Sequence, residues 1–161
     1  MIIYHGSLEV VEHPMILRAN RKLDYGEGFY ATTSEKQSKE WVERRMLERH
    51  ATCGYVNVYE FEDNKLPKLK SLIFEEPNEE WVAFVMANRT KKNFTHDYDI
   101  VYGPVANDKV YLQFGLYETG AISVETLIRE LKTYKLVDQY LFHTERALTA
   151  LHFIQATKIE A

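Results

Sequence analysis

The chain has 161 residues, of which 45% are apolar and 27% are charged, a globular composition that argues against disorder. Its 20 Lys and Arg residues against 24 Asp and Glu give a net charge of −4, so no overall basic field attracts nucleic acid or membranes. The single cysteine, Cys53, excludes an intramolecular disulfide framework and a zinc site made of several thiolates.

The length suits one domain over residues 1–161, because domains cluster around ~100–150 residues. The first apolar run meets a polar residue at His5, so no signal-peptide core fits there. No stretch of ~18 apolar residues is present either, which argues against a transmembrane segment. We therefore expect a cytoplasmic protein with no membrane partner. What the composition leaves to be explained is its 11 tyrosines.

The N-terminal third is predicted to contain two short strands and a long helix. Residues 2–5 form an apolar run suited to a buried strand, and residues 29–33 have an extended pattern. Ser34 and Gln37 have the spacing of a capping box, in which each side chain bonds the other residue's free amide. The helix that they open is predicted to run to about His50.

The middle of the chain is predicted to supply three more strands, at residues 55–61, 69–74 and 100–102. Between the last two, an i, i+3, i+4 stripe is typical of a helix packed on a core. The members of that stripe are Trp81, Phe84, Val85 and Asn88. Residues 107–118 fit either a strand or a helix.

Two helices and a strand are predicted at the C-terminal end. Ser123 is placed to cap the first helix, and residues 139–143 have the composition of a strand. Thr144 then caps a last helix, whose apolar positions are Ala147, Leu148, Leu151 and Ile154. Because strands and helices mix without a regular βαβ rhythm, we expect an α+β domain with mostly antiparallel strands.

Two glycine-containing segments carry the chemical information. In the first, His5, Gly6 and Ser7 place an imidazole, a hydroxyl and backbone amides close together, and glycine allows a ligand to approach. The second segment, residues 24–30, contains a Gly-x-Gly turn. No helix follows it directly and no long apolar strand precedes it, so it lacks the context of a dinucleotide or phosphate loop. Each segment alone is most simply a tight turn beside a core tyrosine.

The helix after the second segment adds to this picture. Ser38 and Trp41 are three residues apart, so they share one helix face. That face lies one turn beyond the capped end, close to Tyr30. A pocket with Tyr30 and Trp41 as walls, Ser38 as a donor and the backbone of Gly6 opposite would suit a flat heteroaromatic amide. The alternative is that Trp41 anchors the helix to the core, as large aromatic side chains usually do.

These segments resemble the first two signatures of the ADP-ribosyltransferases of the diphtheria-toxin-like and poly(ADP-ribose) polymerase-like groups. Residues 2–7 resemble the strand that bears the His-Gly signature, and residues 26–30 resemble a Gly-x-Gly-apolar-Tyr segment that leads into a helix. The resemblance implies split antiparallel β-sheets flanked by helices, with NAD⁺ as substrate and no metal. The histidines do not show metal-ligand spacing either.

The resemblance also implies a role for each residue of the site. His5 would hold the adenosine ribose, and the backbone of residues 6–7 would bind the nicotinamide carboxamide. Tyr30 would stack on the nicotinamide ring, assisted by a serine and a second aromatic residue on the following helix. Counted forward without gaps, these two places fall on Ser38 and Trp41.

A little-characterised bacterial family of this superfamily resembles the chain more widely. It shares the segment at residues 24–30, the stretch at residues 99–106 and the late segment at residues 142–145. Small bacterial members are often toxins or defence effectors with an antitoxin protein encoded nearby. The resemblance therefore implies a macromolecular acceptor, protein or nucleic acid, and an antitoxin as a possible partner.

The third signature departs from the superfamily pattern. The usual glutamate at the start of a late strand is matched here by Gln139. Breaking the nicotinamide–ribose bond develops positive charge on the ribose, as in glycoside hydrolysis. Glutamine can accept the hydrogen bond of the ribose 2′-hydroxyl but supplies no charge. The loss of one electrostatic group typically costs on the order of 10²–10³ in rate, so the glutamine weakens catalysis without forbidding it. Chain elongation needs a carboxylate to activate an acceptor hydroxyl, so transfer of a single ADP-ribose unit is expected.

Three functional hypotheses follow from this glutamine. The first is an NAD⁺-dependent mono-ADP-ribosyltransferase with His5, Tyr30 and Gln139 as catalytic residues. The second is a binding module that has lost catalysis and holds an NAD-like ligand or a protein. The third is a different reaction of the same fold, either NAD⁺ hydrolysis or RNA 2′-phosphate transfer.

Other charged residues lie near these motifs. Asp138 neighbours the glutamine but is expected on the opposite face of its strand. Glu145 lies in the first turn of the last predicted helix, where the helix dipole favours an acid in any case. Arg18, Arg21 and Lys22 precede the Gly-x-Gly segment and could meet a pyrophosphate, although a solvated loop is the simpler interpretation.

Overall fold

The structure, a computed structural model, describes residues 1–17 and 23–161. The strands are β1 (Ile2–Ser7), β2 (Phe29–Ala31), β3 (Cys53–Phe61), β4 (Ser71–Ile73), β5 (Ile100–Pro104), β6 (Asp138–Phe142) and β7 (Leu151–Glu160). The helices are α1 (Glu35–Arg49), α2 (Glu79–Thr90), α3 (Asp108–Glu118), α4 (Val124–Thr133) and α5 (Glu145–Leu148), with a 3-10 helix at Asp63–Lys68. None of these helices is long and apolar enough to cross a membrane.

The described strands form two sheets. The first has the order β1-β3-β7 and is antiparallel throughout. The second has the order β2-β6-β5-β4, in which only β4 and β5 pair in parallel. The strands predicted at residues 55–61, 69–74 and 100–102 correspond to β3, β4 and β5. The fold is therefore α+β with mostly antiparallel pairing, as the sequence predicts.

Among the described residues, three clusters of buried apolar side chains hold the layers together. The first lies between the two sheets and includes Tyr59 of β3 and Phe142 of β6. The second lies between the second sheet and helices α2, α3 and α4, with Trp81 fully buried in it. The third packs Val42 and Met46 of α1 on the first sheet. The order of layers is therefore α1, first sheet, second sheet and the remaining long helices.

Part of the tyrosine content is explained by these cores. Tyr25 is fully buried, and its hydroxyl donates to the Pro104 carbonyl at 2.7 Å and accepts from the Trp81 indole at 2.9 Å. Tyr59 is also fully buried and donates to the Val11 carbonyl at 2.5 Å. Each ring buries a large apolar area while its hydroxyl reaches a partner, which is how a buried tyrosine avoids an unsatisfied polar group.

The predicted helix starts are confirmed by side-chain caps. The Ser34 hydroxyl accepts from the Gln37 amide at 3.1 Å. Only half of the predicted capping box forms, however, because the Ser34 amide donates to the Thr32 hydroxyl at 3.1 Å instead. The segment that was ambiguous between strand and helix is α3, whose first turn is capped by Asn107 accepting from the Val110 amide.

The C-terminal helix is the prediction that the structure contradicts. Thr144 does cap a helix, but α5 has only four residues and the chain then continues as β7. Leu151 and Ile154, which were assigned to a helical stripe, are strand residues in a ladder along the whole of β3. The register shifts between Val58 and Tyr59, which leaves Ile154 out of the pairing and 49% exposed. The hydrogen bonds of this long ladder outweigh the local helical pattern.

Candidate functional site

A cleft opens where the two sheets separate at the start of α1. β1 and β2 meet at an isolated bridge, in which Tyr4 and Thr32 exchange backbone hydrogen bonds of 2.8 and 2.9 Å. Beyond this bridge β1 remains paired with β3, whereas the segment that follows β2 turns away into α1. The cleft has a volume of about 1120 Å³, slightly above the ~300–1,000 Å³ that is usual for small-molecule pockets. It is lined by all seven residues selected from the sequence: His5, Gly6, Ser7, Tyr30, Ser38, Trp41 and Gln139.

Gly6 lies where α1 passes closest to β1. A Cβ atom there would be 2.7 Å from the Ser38 carbonyl oxygen and 2.8 Å from a methyl group of Val42. Glycine is therefore required because the helix occupies the space of a side chain. Backbone groups alternate in direction along a strand, so the amide and carbonyl of Gly6 point toward the same edge as those of Tyr4. That edge borders the cleft, where a ligand could bond to it.

The ring of His5 is held in one tautomer. Its Nδ1 atom is 2.6 Å from the carbonyl oxygen of Tyr30. A carbonyl oxygen only accepts, so Nδ1 carries the proton and Nε2 is left as a hydrogen-bond acceptor. Burial lowers the pKa of His5 and outweighs the bond to Tyr30, which acts in the opposite direction. The cleft therefore contains a neutral imidazole with a fixed acceptor nitrogen.

Tyr30 uses its hydroxyl to fix the Gly-x-Gly turn. The hydroxyl donates to the Gly26 carbonyl at 2.5 Å and accepts from the Tyr25 amide at 3.1 Å. Gly26 and Gly28 have positive φ angles of 91° and 148°, which side chains rarely adopt. Burial raises the pKa of Tyr30 well above its usual value, so the phenol stays neutral. Since the hydroxyl is engaged within the turn, the part of Tyr30 that remains for a ligand is its ring.

Two histidines clamp the same turn from the other side. His96 Nε2 is 2.7 Å from the Tyr25 carbonyl, and His143 Nδ1 is 2.6 Å from the Glu27 carbonyl. Their rings are in contact, with centroids 4.2 Å apart and planes tilted by 35°. Together with the bond from Tyr30, three consecutive carbonyls of the turn are fixed. These histidines therefore have structural roles, and no group of side chains among the described residues is arranged to hold a metal ion.

The hydroxyl of Ser38 is buried in the wall of the cleft without a partner. Ser38 is 3% exposed, and its Oγ atom has no hydrogen-bond partner among the described residues. A buried polar group in this state costs roughly 1–3 kcal/mol. Because such groups are rare in folded proteins, this one calls for an explanation. A ligand in the cleft that accepts or donates one hydrogen bond would supply it.

Two arginines that the sequence motifs did not indicate also line the cleft. The Arg44 guanidinium lies 5.8 Å from the ring centroid of Trp41. The Arg89 guanidinium lies 4.3 Å from the ring of Tyr111. Arg44 follows Trp41 by three residues on α1, so helical spacing could have found it. Arg89 reaches the cleft from α2, which only the tertiary fold reveals. The earlier candidates at residues 18–22 lie outside the described part of the chain.

The Gln139 side chain is hydrogen-bonded to a carboxylate that the sequence did not predict as its partner. Its Nε2 atom donates to Oδ2 of Asp24 at 3.0 Å. The Ala106 amide donates to the same oxygen at 3.0 Å. Tyr111 donates a short hydrogen bond to Oδ1, and Arg89 is 3.5 Å from that oxygen. Asp24 was visible in the segment at residues 24–30, but a bond spanning 115 residues has no local signal.

The two acids considered as substitutes for the missing glutamate have other tasks. Asp138 also borders the cleft, yet its carboxylate accepts hydrogen bonds from Thr32, Thr33 and Tyr102. It thereby ties β6 to the start of α1. Burial, with the Asp138 charge, raises the pKa of Tyr102 to about 12. Glu145 is exposed in the first turn of α5 and does not line the cleft.

Comparison with known proteins assigns the chain to a family. Residues 1–153 match the family described as protein of unknown function, DUF3990. The chain belongs to the DUF3990 family. No curated protein and no solved structure matches it. The match to DUF3990 covers every residue of the cleft described above, from His5 to Gln139.

Proposed function

We propose that this DUF3990 protein is an NAD⁺-dependent mono-ADP-ribosyltransferase. The observation that carries the proposal is the buried, unpartnered hydroxyl of Ser38 in a cleft that also contains the other residues of the resemblance. These residues come from β1, β2, α1 and β6, so nothing in their sequence spacing obliged them to meet. The two facing sheets with flanking helices are compatible with the superfamily's fold.

In this proposal each part of the cleft contacts one part of NAD⁺. The acceptor nitrogen of His5 binds a hydroxyl of the adenosine ribose, because its Nδ1 proton is already used by Tyr30. The backbone edge at residues 6–7 and the hydroxyl of Ser38 bind the nicotinamide carboxamide. The ring of Tyr30 stacks on the nicotinamide, with the indole of Trp41 nearby in the same cleft.

The reaction breaks the bond between the ribose C1′ atom and the nicotinamide nitrogen. The bonding electron pair leaves with nicotinamide, which becomes neutral, and positive charge develops on the ribose. A nucleophilic atom of the acceptor bonds to C1′ and gives its proton to solvent. Gln139 accepts the hydrogen bond of the ribose 2′-hydroxyl through its amide oxygen. No general acid is needed, because the leaving group is neutral.

The second substrate, the acceptor of ADP-ribose, is proposed from the resemblance. The acceptor is a protein or a nucleic acid, and a toxin of this kind would be held in check by an antitoxin protein. The net charge of −4 gives nucleic acid no electrostatic advantage as an acceptor. Two arginines in the lining of the cleft, Arg44 and Arg89, suit the pyrophosphate of NAD⁺.

The test is incubation of the purified chain with NAD⁺ labelled in the adenylate, together with a cell lysate. We expect label in protein or in RNase-sensitive material, with release of one nicotinamide for each ADP-ribose transferred. Label only in free ADP-ribose would indicate NAD⁺ hydrolysis. No nicotinamide release and no binding of NAD⁺ by calorimetry would contradict the proposal. Binding without release would instead favour a binding module.

A pair of tyrosine variants controls for indirect effects. Tyr30→Ala removes the ring from the cleft and is expected to abolish nicotinamide release. Tyr117→Ala removes a ring that packs against the second core and does not line the cleft. It is expected to lower stability while release continues. Equal loss of release in both folded variants would show that the effect of Tyr30 is not specific to the site.

A further inference from the structure

The Asp24 carboxylate is a buried negative charge in the wall of the cleft. Asp24 is 8% exposed and lines the cleft. All four of its described partners donate to it: the Gln139 amide, the Ala106 backbone amide, the Tyr111 hydroxyl and the Arg89 guanidinium. A carboxyl group surrounded only by donors is in the acceptor-only form, which is the ionised one. A buried carboxylate requires such partners, and here it has them.

The bond to Asp24 fixes the orientation of the Gln139 amide. The nitrogen and oxygen of a glutamine amide are assigned from their partners. Because Asp24 can only accept, Nε2 of Gln139 faces Oδ2 at 3.0 Å and cannot be exchanged with Oε1. The carbonyl oxygen of Gln139 is therefore directed away from Asp24. It stays available as an acceptor at the position where the superfamily pattern has a glutamate.

We propose that Asp24 and Gln139 act as a pair that replaces the single glutamate of the third signature. The proposal rests on the function proposed above. Gln139 accepts the hydrogen bond of the ribose 2′-hydroxyl, and Asp24 positions it while supplying negative charge one hydrogen bond away. As the C1′–nitrogen bond breaks and its electron pair leaves with nicotinamide, this charge stabilises the positive charge that develops on the ribose. Asp24 touches no reacting atom and is a positioning residue.

The pair makes an unusual prediction about restoring the glutamate. If Gln139 merely weakens the site, Gln139→Glu restores the charge and accelerates the reaction. If Asp24 already supplies the charge, Gln139→Glu creates two carboxylates within hydrogen-bond distance. Like charges that close raise the pKa of one carboxyl group, and the two then share a proton. With that shared proton the pair carries no more negative charge than the wild type, so we expect Gln139→Glu not to accelerate nicotinamide release below a new ionisation above the usual carboxyl range.

Acceleration by Gln139→Glu is expected only when Asp24 is neutral. Asp24→Asn removes the charge and is expected to lower kcat on the order of 10²-fold, with little change in the Kd for NAD⁺. In that background Gln139→Glu returns a single negative charge to the site. The double variant is therefore expected to be faster than Asp24→Asn alone. Acceleration by Gln139→Glu in the Asp24→Asn background alone would be a specific signature, because a purely structural role for Asp24 predicts the same effect in both backgrounds.

Asp99 provides a matched control for burial. It is also 8% exposed and accepts from the Lys70 amide at 2.9 Å and the Thr144 hydroxyl at 2.6 Å, but it does not line the cleft. Asp99→Asn is expected to lower the melting temperature and to leave kcat within about twofold. Loss of kcat comparable with that of Asp24→Asn would overturn the proposal.

The experiment uses nicotinamide release, NAD⁺ calorimetry and circular dichroism on the full chain and its variants. An active wild type that Gln139→Glu accelerates in both backgrounds would overturn the pair and leave the proposed function standing. A wild type that neither binds nor cleaves NAD⁺ would overturn the proposed function itself. Should Asp24→Asn fail to fold, the pH profile of Gln139→Glu decides. Its rate is expected to rise with pH as the shared proton is lost, and a rate that exceeds that of the wild type at every pH would refute the pair.

Discussion

Replacement of Ser38 by alanine is expected to make the protein more stable and its ligand binding weaker. Ser38→Ala removes a hydroxyl that is 3% exposed and unpartnered, which lifts a cost of roughly 1–3 kcal/mol on the folded state. Alanine also has the better helix propensity, by up to about 0.5 kcal/mol. Ser34, four residues earlier, is the matched control because its hydroxyl accepts from the Gln37 amide at 3.1 Å. Ser34→Ala should lower stability by about 1 kcal/mol.

Urea denaturation and thermal melting of the chain without ligand measure the first half of this prediction. The melting temperature is expected to shift by about 2–4 °C for each kcal/mol in a chain of this size, upward for Ser38→Ala and downward for Ser34→Ala. The second half is NAD⁺ calorimetry, where loss of one hydrogen bond worth about 1 kcal/mol weakens binding roughly fivefold. If Ser38→Ala is destabilising like Ser34→Ala, the hydroxyl has a structural partner and is not reserved for a ligand.

Three further predictions concern stability. Burial lowers the pKa of His5 and of His96 below the ordinary 6.5, so at acidic pH the unfolded chain binds more protons than the folded one. The free energy of unfolding, measured by urea denaturation, should therefore fall as pH drops through about 6.5 and stay level above it. Gly28→Ala adds a Cβ 2.4 Å from the Phe142 carbonyl oxygen at a φ of 148° and should cost on the order of 3 kcal/mol, whereas equal melting curves would refute the clash. Deletion of residues 151–161 removes β7 from β3 and should prevent folding, seen as loss of the cooperative melt.

Local signals in the sequence were sufficient for the elements whose ends are fixed by side chains. Ser34 caps α1 and Ser123 caps α4, each by accepting a hydrogen bond from the backbone amide three residues later. Such caps depend on residues within one turn, which the sequence lists side by side. The apolar stripe of α2 was found for the same reason, since residues at i, i+3 and i+4 share a helix face.

The C-terminal strand shows where local reasoning ends. Leu151 and Ile154 complete a helical stripe with Ala147 and Leu148, so the pattern alone favours a helix. The stability of β7 comes from pairing with β3, almost a hundred positions earlier in the chain, which no window around Ile154 contains. Tertiary pairing overrides propensity in strands more readily than in helices. The bulge that accommodates Ile154 is visible only once the partner strand is known.

In the cleft too, some residues could be predicted from local motifs, whereas others depend on tertiary contacts. The seven residues selected from the sequence all line it, because they sit in two short motifs and one helix face plus a position on β6. Asp24 belongs to one of these motifs, but its role could not be predicted because its hydrogen bond to Gln139 spans 115 residues. A residue type at a given position suggests chemistry, whereas the partner that fixes its orientation depends on the fold.

The arrangement of hydrogen bonds in the cleft has a consequence for how it would meet a ligand. The Tyr30 hydroxyl, the Nδ1 proton of His5 and one Nε2 proton of Gln139 are each directed at a protein acceptor. What these bonds leave to the cleft is a ring face, an imidazole nitrogen acceptor and an amide oxygen, together with the hydroxyl of Ser38. Groups already held in place lose little freedom on binding, so more of the binding energy is retained. A ligand that offers hydroxyl donors and a planar ring, as a ribosyl nicotinamide does, matches that set.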